Sequence, residues 1–164
     1  GEDHLEFLVF PDQVVYHISR ENAAADVEAM VKHADGDAEQ KVKTTAMAKD
    51  KHFVFVCAHA KMDNRCGYCG PRLVTAFQEH LAGAGLADRT TVHKVTHVGG
   101  HKYAGNVIVF PAGEWYGYVK PEQVGTVVQA SITDLEANGS PTILKEIWRG
   151  RMGLGKEEVK ELAA

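Results

Sequence analysis

The sequence holds little that would take it to a membrane or to nucleic acid. In its 164 residues no apolar run approaches the roughly 18 residues that a membrane span needs. It has no basic excess, because 18 Lys and Arg stand against 22 Asp and Glu, a formal net charge of -4. Binding to phosphates draws on such an excess, so nucleic-acid and anionic-membrane roles are disfavoured. The first residues, Gly1 to His4, lack the charged-then-apolar order of a signal peptide. A start at Gly1 rather than Met suggests processing or trimming, which leaves a removed targeting peptide open. No Gly-rich nucleotide motif follows a strand, so flavin or nicotinamide binding is not expected within this chain. No pair of carboxylates stands in a recognisable sugar-cleaving frame. Three cysteines are too few for a secreted disulfide scaffold.

What is present is an ordinary globular composition, with 45% hydrophobic and 24% charged residues. That is enough apolar matter for a core, which excludes intrinsic disorder. The expected organisation is one domain over 1–164, with 1–50 an N-terminal strand and helix extension followed by a flexible linker. Leu5 to Phe10 and Val14 to Tyr16 read as strands around a Pro11-Asp12 turn. Asn22 is placed to cap a helix reaching about His33, with Ala25, Val27, Met30 and Val31 on one side. Residues 34–50 are polar and patternless and read as the linker.

His52 to Cys57 is the strongest strand signal. A polar loop over 58–65 follows, and Gly70-Pro71 is expected to open a helix carrying Leu73, Val74, Phe77 and Leu81. Thr90 to Thr96 and Asn106 to Phe110 read as strands, and Trp115 to Val119 completes a hairpin with the latter. Pro121 starts a helix to about Asn138, and Pro141 to Arg149 reads as a last helical stretch. Strand, helix, strand, strand, strand, helix from residue 52 is a compact α/β pattern.

The chemistry-bearing residues cluster in this second part. All three cysteines, Cys57, Cys66 and Cys69, fall within thirteen positions, and nine histidines are many for this length. Cys57 ends a strand and Cys66 follows across a loop. His97 and His101 flank Val98-Gly99-Gly100 at the end of another strand. Four such ligands on two loops at the same end of neighbouring strands can converge. Gly67, Gly70, Gly99 and Gly100 are expected to leave room for a bulky inorganic centre. A competing pattern is Cys66-Gly67-Tyr68-Cys69, a C-x-x-C pair between a strand and a helix, as in thiol–disulfide oxidoreductases. On spacing alone the dithiol pair stands slightly ahead of a cluster. Two Cys and two His also suit a structural zinc module. His59 is the nearest competing ligand and is expected to be an exposed loop histidine.

The strings FVFVCAHAKMDNRCGYCGPR (53–72), THVGGHKYAGNVIVFP (96–111) and WYGYV (115–119) closely resemble the sucrase/ferredoxin-like family. The likeness runs from LEFLVFPDQVVY at Leu5 to WRGRMGL ending at Leu154, nearly the whole chain. Members look like relatives of the thioredoxin-like [2Fe-2S] ferredoxins. The resemblance therefore implies an α/β thioredoxin-like fold, a mixed sheet flanked by helices. It also implies one [2Fe-2S] cluster held by Cys57, Cys66, His97 and His101. Cys69 matches the family pattern but is not expected to bind iron.

Such a protein is expected to be an electron carrier rather than an enzyme. It would serve redox partner proteins, an NAD(P)H-dependent reductase among them; the oligomeric state is open, with a homodimer allowed by the likeness to thioredoxin-like ferredoxins. A cytoplasmic location is expected, with an organellar one also allowed. Lys102 and Arg65 could guide an acidic partner. Tyr103 and Asn106 could support the ligands, and Trp115-Tyr116 could cover the centre or simply belong to the core.

Two ferric ions, two sulfides and two thiolates sum to a neutral site, whereas four thiolates leave a dianion. An electron enters a neutral site at lower electrostatic cost. The potential is therefore expected above that of all-cysteine ferredoxins, in the direction of Rieske centres at about -150 to +300 mV. Each ligating imidazole keeps a second N–H whose acidity follows the charge on iron, so the potential is expected to fall as pH rises. Against the dithiol alternative, thioredoxin folds place a proline opposite the pair, and none precedes the Asn106 strand.

Overall fold

The structure, a computed structural model, describes residues 3–37, 39–61 and 63–164, and only the backbone of His101. The chain divides into two compact units, Gly1–Lys49 and Asp50–Ala164.

In the first unit β1 (His4–Val9) and β2 (Val14–Ser19) form an antiparallel hairpin, and β3 (Thr44–Ala46) adds to β2. Alternation along β2 buries Tyr16 and Ile18. They pack with Val42 and with Val27 and Met30 of α1 (Ala23–Ala34). Two details differ from the sequence reading. Asn22 makes no side-chain cap; Asp26, in the first turn, instead accepts from the Ser19 backbone at 2.9 Å. The patternless 34–50 stretch contains β3, too short to leave a periodic signal.

The second unit is built on a five-stranded sheet in the order β5-β4-β6-β7-β8. Its strands are β4 (His52–Cys57), β5 (Thr90–Val95), β6 (Val107–Phe110), β7 (Glu114–Tyr116) and β8 (Trp148–Arg151). β4 runs parallel to β5, and the other pairs are antiparallel. The parallel pair is joined by α2 (Asn64–Gly83). Val54 and Val56 of β4 and Val107 and Val109 of β6 share a core with Leu73, Phe77 and Leu81 of α2. The helical stretch after Pro121 closes the same core. It comprises α3 (Val124–Val128), a π-helical segment (Gln129–Thr133) and α4 (Asp134–Asn138), with α5 (Lys156–Ala163) near the C-terminus. Central β4 is hydrogen-bonded on both sides, so whatever its last residue carries is held by two neighbours.

Residues 141–149, expected as helix, are irregular up to β8. The Trp148 indole and the Arg151 guanidinium both donate to the carboxylate of buried Glu114 on β7. Burial pushes the Glu114 carboxyl up, and these two donors only partly offset it. Tyr116 belongs wholly to the core and its hydroxyl lies 2.7 Å from Ser131 Oγ, so the core reading of the hairpin aromatics holds for it. At the other end of the sheet, His52 Nε2 lies 2.9 Å from Glu136 Oε1, and Arg89 donates to the same carboxylate.

Candidate metal centre

Cys57 is the last residue of β4 and is buried. Its backbone N–H donates to the Asn106 carbonyl at 3.1 Å, and the next N–H, of Ala58, donates to Val95 at 3.1 Å. The strand end is thus fixed from both sides.

Cys66 comes to it on α2, which begins at Asn64, six residues before the Gly70-Pro71 start read from the sequence. Asp63 caps it, accepting from the Arg65 backbone at 2.8 Å and pairing with the Arg65 guanidinium at 2.7 Å. Both cysteines of the C-x-x-C string therefore lie on helix, one turn apart. Contrary to the expectation from the sequence, Gly67 and Gly70 do not make room for an inorganic centre. They let protein pack on protein. A Cβ at Gly70 would sit 2.5 Å from the Cys57 carbonyl and 2.7 Å from Ala58, and one at Gly67 would collide with Ala60. This close approach seats the helix on the end of β4 and brings Cys66 against Cys57.

The Cys66 thiol lies close enough to the Cys57 thiol for each to feel the other's charge. Burial pushes the Cys66 thiol up to about 11, and the neighbouring Cys57 adds to the shift by charge, while Arg65 opposes it. Cys69 is half-buried, and all three cysteines are free. An attacking thiol in a redox pair needs the reverse shift, toward thiolate at neutral pH. A metal, in contrast, displaces the proton itself.

His97 lies half-buried in the loop after β5, two residues past Val95, the register partner of Cys57. His59 is not the exposed histidine expected. It is half-buried, its ring centroid is 6.4 Å from that of His97, and its Nδ1 is buried with no hydrogen-bond partner among the described residues. His101 opens a short helical turn (His101–Tyr103) after two glycines of positive φ, Gly99 at 90° and Gly100 at 58°. Its side chain lies outside the described residues, so the sequence-proposed set is placed here at Cys57, Cys66 and His97. Among the described residues those three do not form a set whose ligand atoms all lie within 4.8 Å of one another. Ligands at 2.0–2.3 Å from one zinc ion are at most about 4.6 Å apart. A two-iron centre distributes its ligands over two metals and is not held to that limit.

Sequence reasoning underrated Asn106. It is fully buried, and its Nδ2 donates to the carbonyls of Gly100 at 3.0 Å and Gly99 at 3.4 Å. It thereby joins the strand that holds Cys57 to the loop between the two histidines. Its Oδ1 is buried with no hydrogen-bond partner among the described residues. The available signal was a lone amide before an apolar run. Around the same loop lies an aromatic and cationic surface. Tyr103 and Tyr118 meet edge to face at 5.3 Å. The Arg149 guanidinium lies 4.9 Å and 5.3 Å from their centroids, and Lys102 Nζ 4.7 Å from Tyr103. On α2, Arg72 stacks 3.6 Å over Tyr68, which is 62% exposed.

Residues 1–150 match the family described as sucrase/ferredoxin-like. The chain belongs to that family. Among curated proteins, this sucrase/ferredoxin-like chain is 39% identical over 107 residues to Altered inheritance of mitochondria protein 32 from Debaryomyces hansenii, covering 62% of this chain and 36% of that protein. The protein of that name from Meyerozyma guilliermondii is 44% identical over 82 residues, covering 48% and 29%. Actin patches distal protein 1 from Saccharomyces cerevisiae is 35% identical over 103 residues, covering 56% and 33%. The chain spans about a third of the length of these relatives.

Among solved structures, a thioredoxin-like [2Fe-2S] ferredoxin from Aquifex aeolicus matches with TM-score 0.52 and 21% identity, covering 65% of this chain and 96% of that one. A crystal structure described as the wild-type ferredoxin from the same organism matches with TM-score 0.51 and 22% identity, covering 62% and 98%. The fold is therefore thioredoxin-like, a mixed sheet flanked by helices, as the resemblance implied. No helix among the described residues is long and apolar enough to cross a membrane.

Proposed function

We propose that this chain is an electron carrier whose [2Fe-2S] cluster is held by Cys57, Cys66, His97 and His101. The observation that carries the reading is the contact between two buried thiols, with Cys66 paired to Cys57 rather than to Cys69. Two thiols in contact suit a shared iron, and the raised proton affinity of Cys66 suits a metal ligand rather than a nucleophile. When bound, the cluster would take up and give back one electron at a potential raised by its imidazole ligands.

The protein's own groups have defined tasks in that reading. Cys57 and Cys66 keep one side of the site dry beneath the start of α2. Asn106 fixes the loop that presents His97 and His101. Each ligating imidazole keeps a proton on its other ring nitrogen, so uptake of an electron is linked to pH. Lys102, Arg149 and Arg72, stacked on Tyr103, Tyr118 and Tyr68, offer a cationic aromatic surface on a chain of net charge -4. That surface fits an acidic redox protein, such as an NAD(P)H-dependent reductase, whose docking would weaken with salt. A compartment with a reducing thiol pool suits the free cysteines, cytoplasmic or mitochondrial, the latter in line with the names of the relatives.

Anaerobic purification with iron, sulfide and zinc analysis and a visible spectrum tests the proposal. Two irons and two sulfides per chain with visible absorption are expected. Stoichiometric zinc without sulfide, or a colourless protein in which Cys66 and Cys69 titrate as a dithiol, would overturn it.

A further inference from the structure

The first unit carries a second constellation of metal-binding groups, independent of the cysteines. Glu6 on β1 and His17 on β2 are direct register partners across the hairpin. His4 precedes Glu6 by two residues on the same strand, so its side chain emerges on the same face. Side chains directly opposite on one sheet face approach to about 5 Å at Cβ, close enough for one ion to bridge them. The structure brings them together in that way. His17 Nδ1 lies 3.6 Å from Glu6 Oε1. The His4 and His17 rings meet edge to face, with centroids 5.7 Å apart. One ligand atom from each of the three falls within 4.8 Å of the other two.

Thr45 on β3 supplies what a histidine ligand ordinarily has, a partner for its other nitrogen. His17 Nε2 lies 2.9 Å from Thr45 Oγ1. With Nε2–H donating to that hydroxyl, Nδ1 turns its lone pair toward the Glu6 carboxylate. Two acceptors then face each other at 3.6 Å, an arrangement that a cation between them relieves.

We propose that His4, Glu6 and His17 form a binding site for a divalent first-row transition ion. Two imidazoles and one carboxylate suit zinc, with water completing the coordination. All six residues of β1 are exposed or half-buried, and this strand forms the edge of its sheet. An ion held between β1 and β2 would clamp that edge and stabilise the fold increasingly as the free ion concentration rises above its dissociation constant.

The test uses the full, untagged chain and zinc alone as probe, by equilibrium dialysis and by thermal unfolding. The wild type is expected to bind a zinc ion and to unfold at a higher temperature when it does. Cys57→Ser should keep that ion and that shift. His17→Ala and His4→Ala should lose both, and Glu6→Gln should weaken binding by at least about tenfold. His4 is exposed, so His4→Ala keeps the test decisive even where His17→Ala disturbs the hairpin. Full wild-type zinc stoichiometry and thermal shift retained in folded His4→Ala, binding that disappears only in Cys57→Ser, or no binding by the wild type would overturn the proposal.

Discussion

The buried Asn106 amide donates to the Gly100 carbonyl at 3.0 Å. This bond links β6, which is paired to the cysteine-bearing β4, to the loop between His97 and His101. It explains how a glycine-rich loop with backbone φ of 90° and 58° at successive positions keeps one shape. Asn106→Ala removes the donor and is expected to cost about 1–3 kcal/mol, read as a lower denaturation midpoint. Asn106→Asp, of nearly the same shape, should cost at least as much, because a carboxylate oxygen would face the two carbonyls. Unchanged midpoints in both would remove Asn106 from this role.

The cysteines should separate by function. Cys57→Ser and Cys66→Ser are expected to lose most of the bound iron and sulfide, measured per folded chain. Cys69→Ser should retain both, since Cys66 is engaged with Cys57. Iron loss in Cys69→Ser equal to that in Cys66→Ser would contradict the assignment.

Charge at the site should set its potential. His101→Cys exchanges a neutral ligand for an anionic one, so the midpoint potential should fall and its dependence on pH should weaken. In the wild type the potential should decrease as pH rises through the range in which the imidazole N–H is lost from the oxidised protein. Protein-film voltammetry across that range gives both slopes. A flat wild-type profile from neutral to alkaline pH would contradict proton linkage.

Most of the fold was legible because its strongest elements are local. β4 and β6 are runs of Val and Phe, and the helix after Pro121 ends at Asn138-Gly139, with Gly139 at positive φ. What was not legible depends on distant partners. β8 becomes a strand through Glu114, 37 residues before Arg151, and no local pattern reports that pairing. The start of α2 was obscured because Gly67, Gly70 and Pro71 read as breakers. The two glycines are instead set by the approach of Ala60, Cys57 and Ala58. The site divides in the same way. Its cysteine and histidine strings are contiguous motifs, whereas the Asn106 bonds and the His59–His97 proximity exist only after folding.

Acid should loosen the far end of the second unit. Burial pushes the Glu136 carboxyl up, but hydrogen bonds from His52 and Arg89 together outweigh it and leave it below its ordinary value of 4.5. A lowered folded value means that the carboxylate contributes stability above the unfolded value. That contribution is lost as pH falls through the folded one. The stability of the wild type should therefore decline below about pH 4.5 more steeply than that of Glu136→Gln. Urea midpoints of both proteins on an acid series check this, and parallel curves would rule it out.

The most direct measurement is nitrogen hyperfine spectroscopy on the reduced, anaerobically purified protein. Couplings from two imidazole nitrogens on the paramagnetic centre are expected, with one of them missing in His97→Cys. A [2Fe-2S] signal without nitrogen coupling, or no iron signal at all, would contradict the assignment of histidine beside cysteine at the metal.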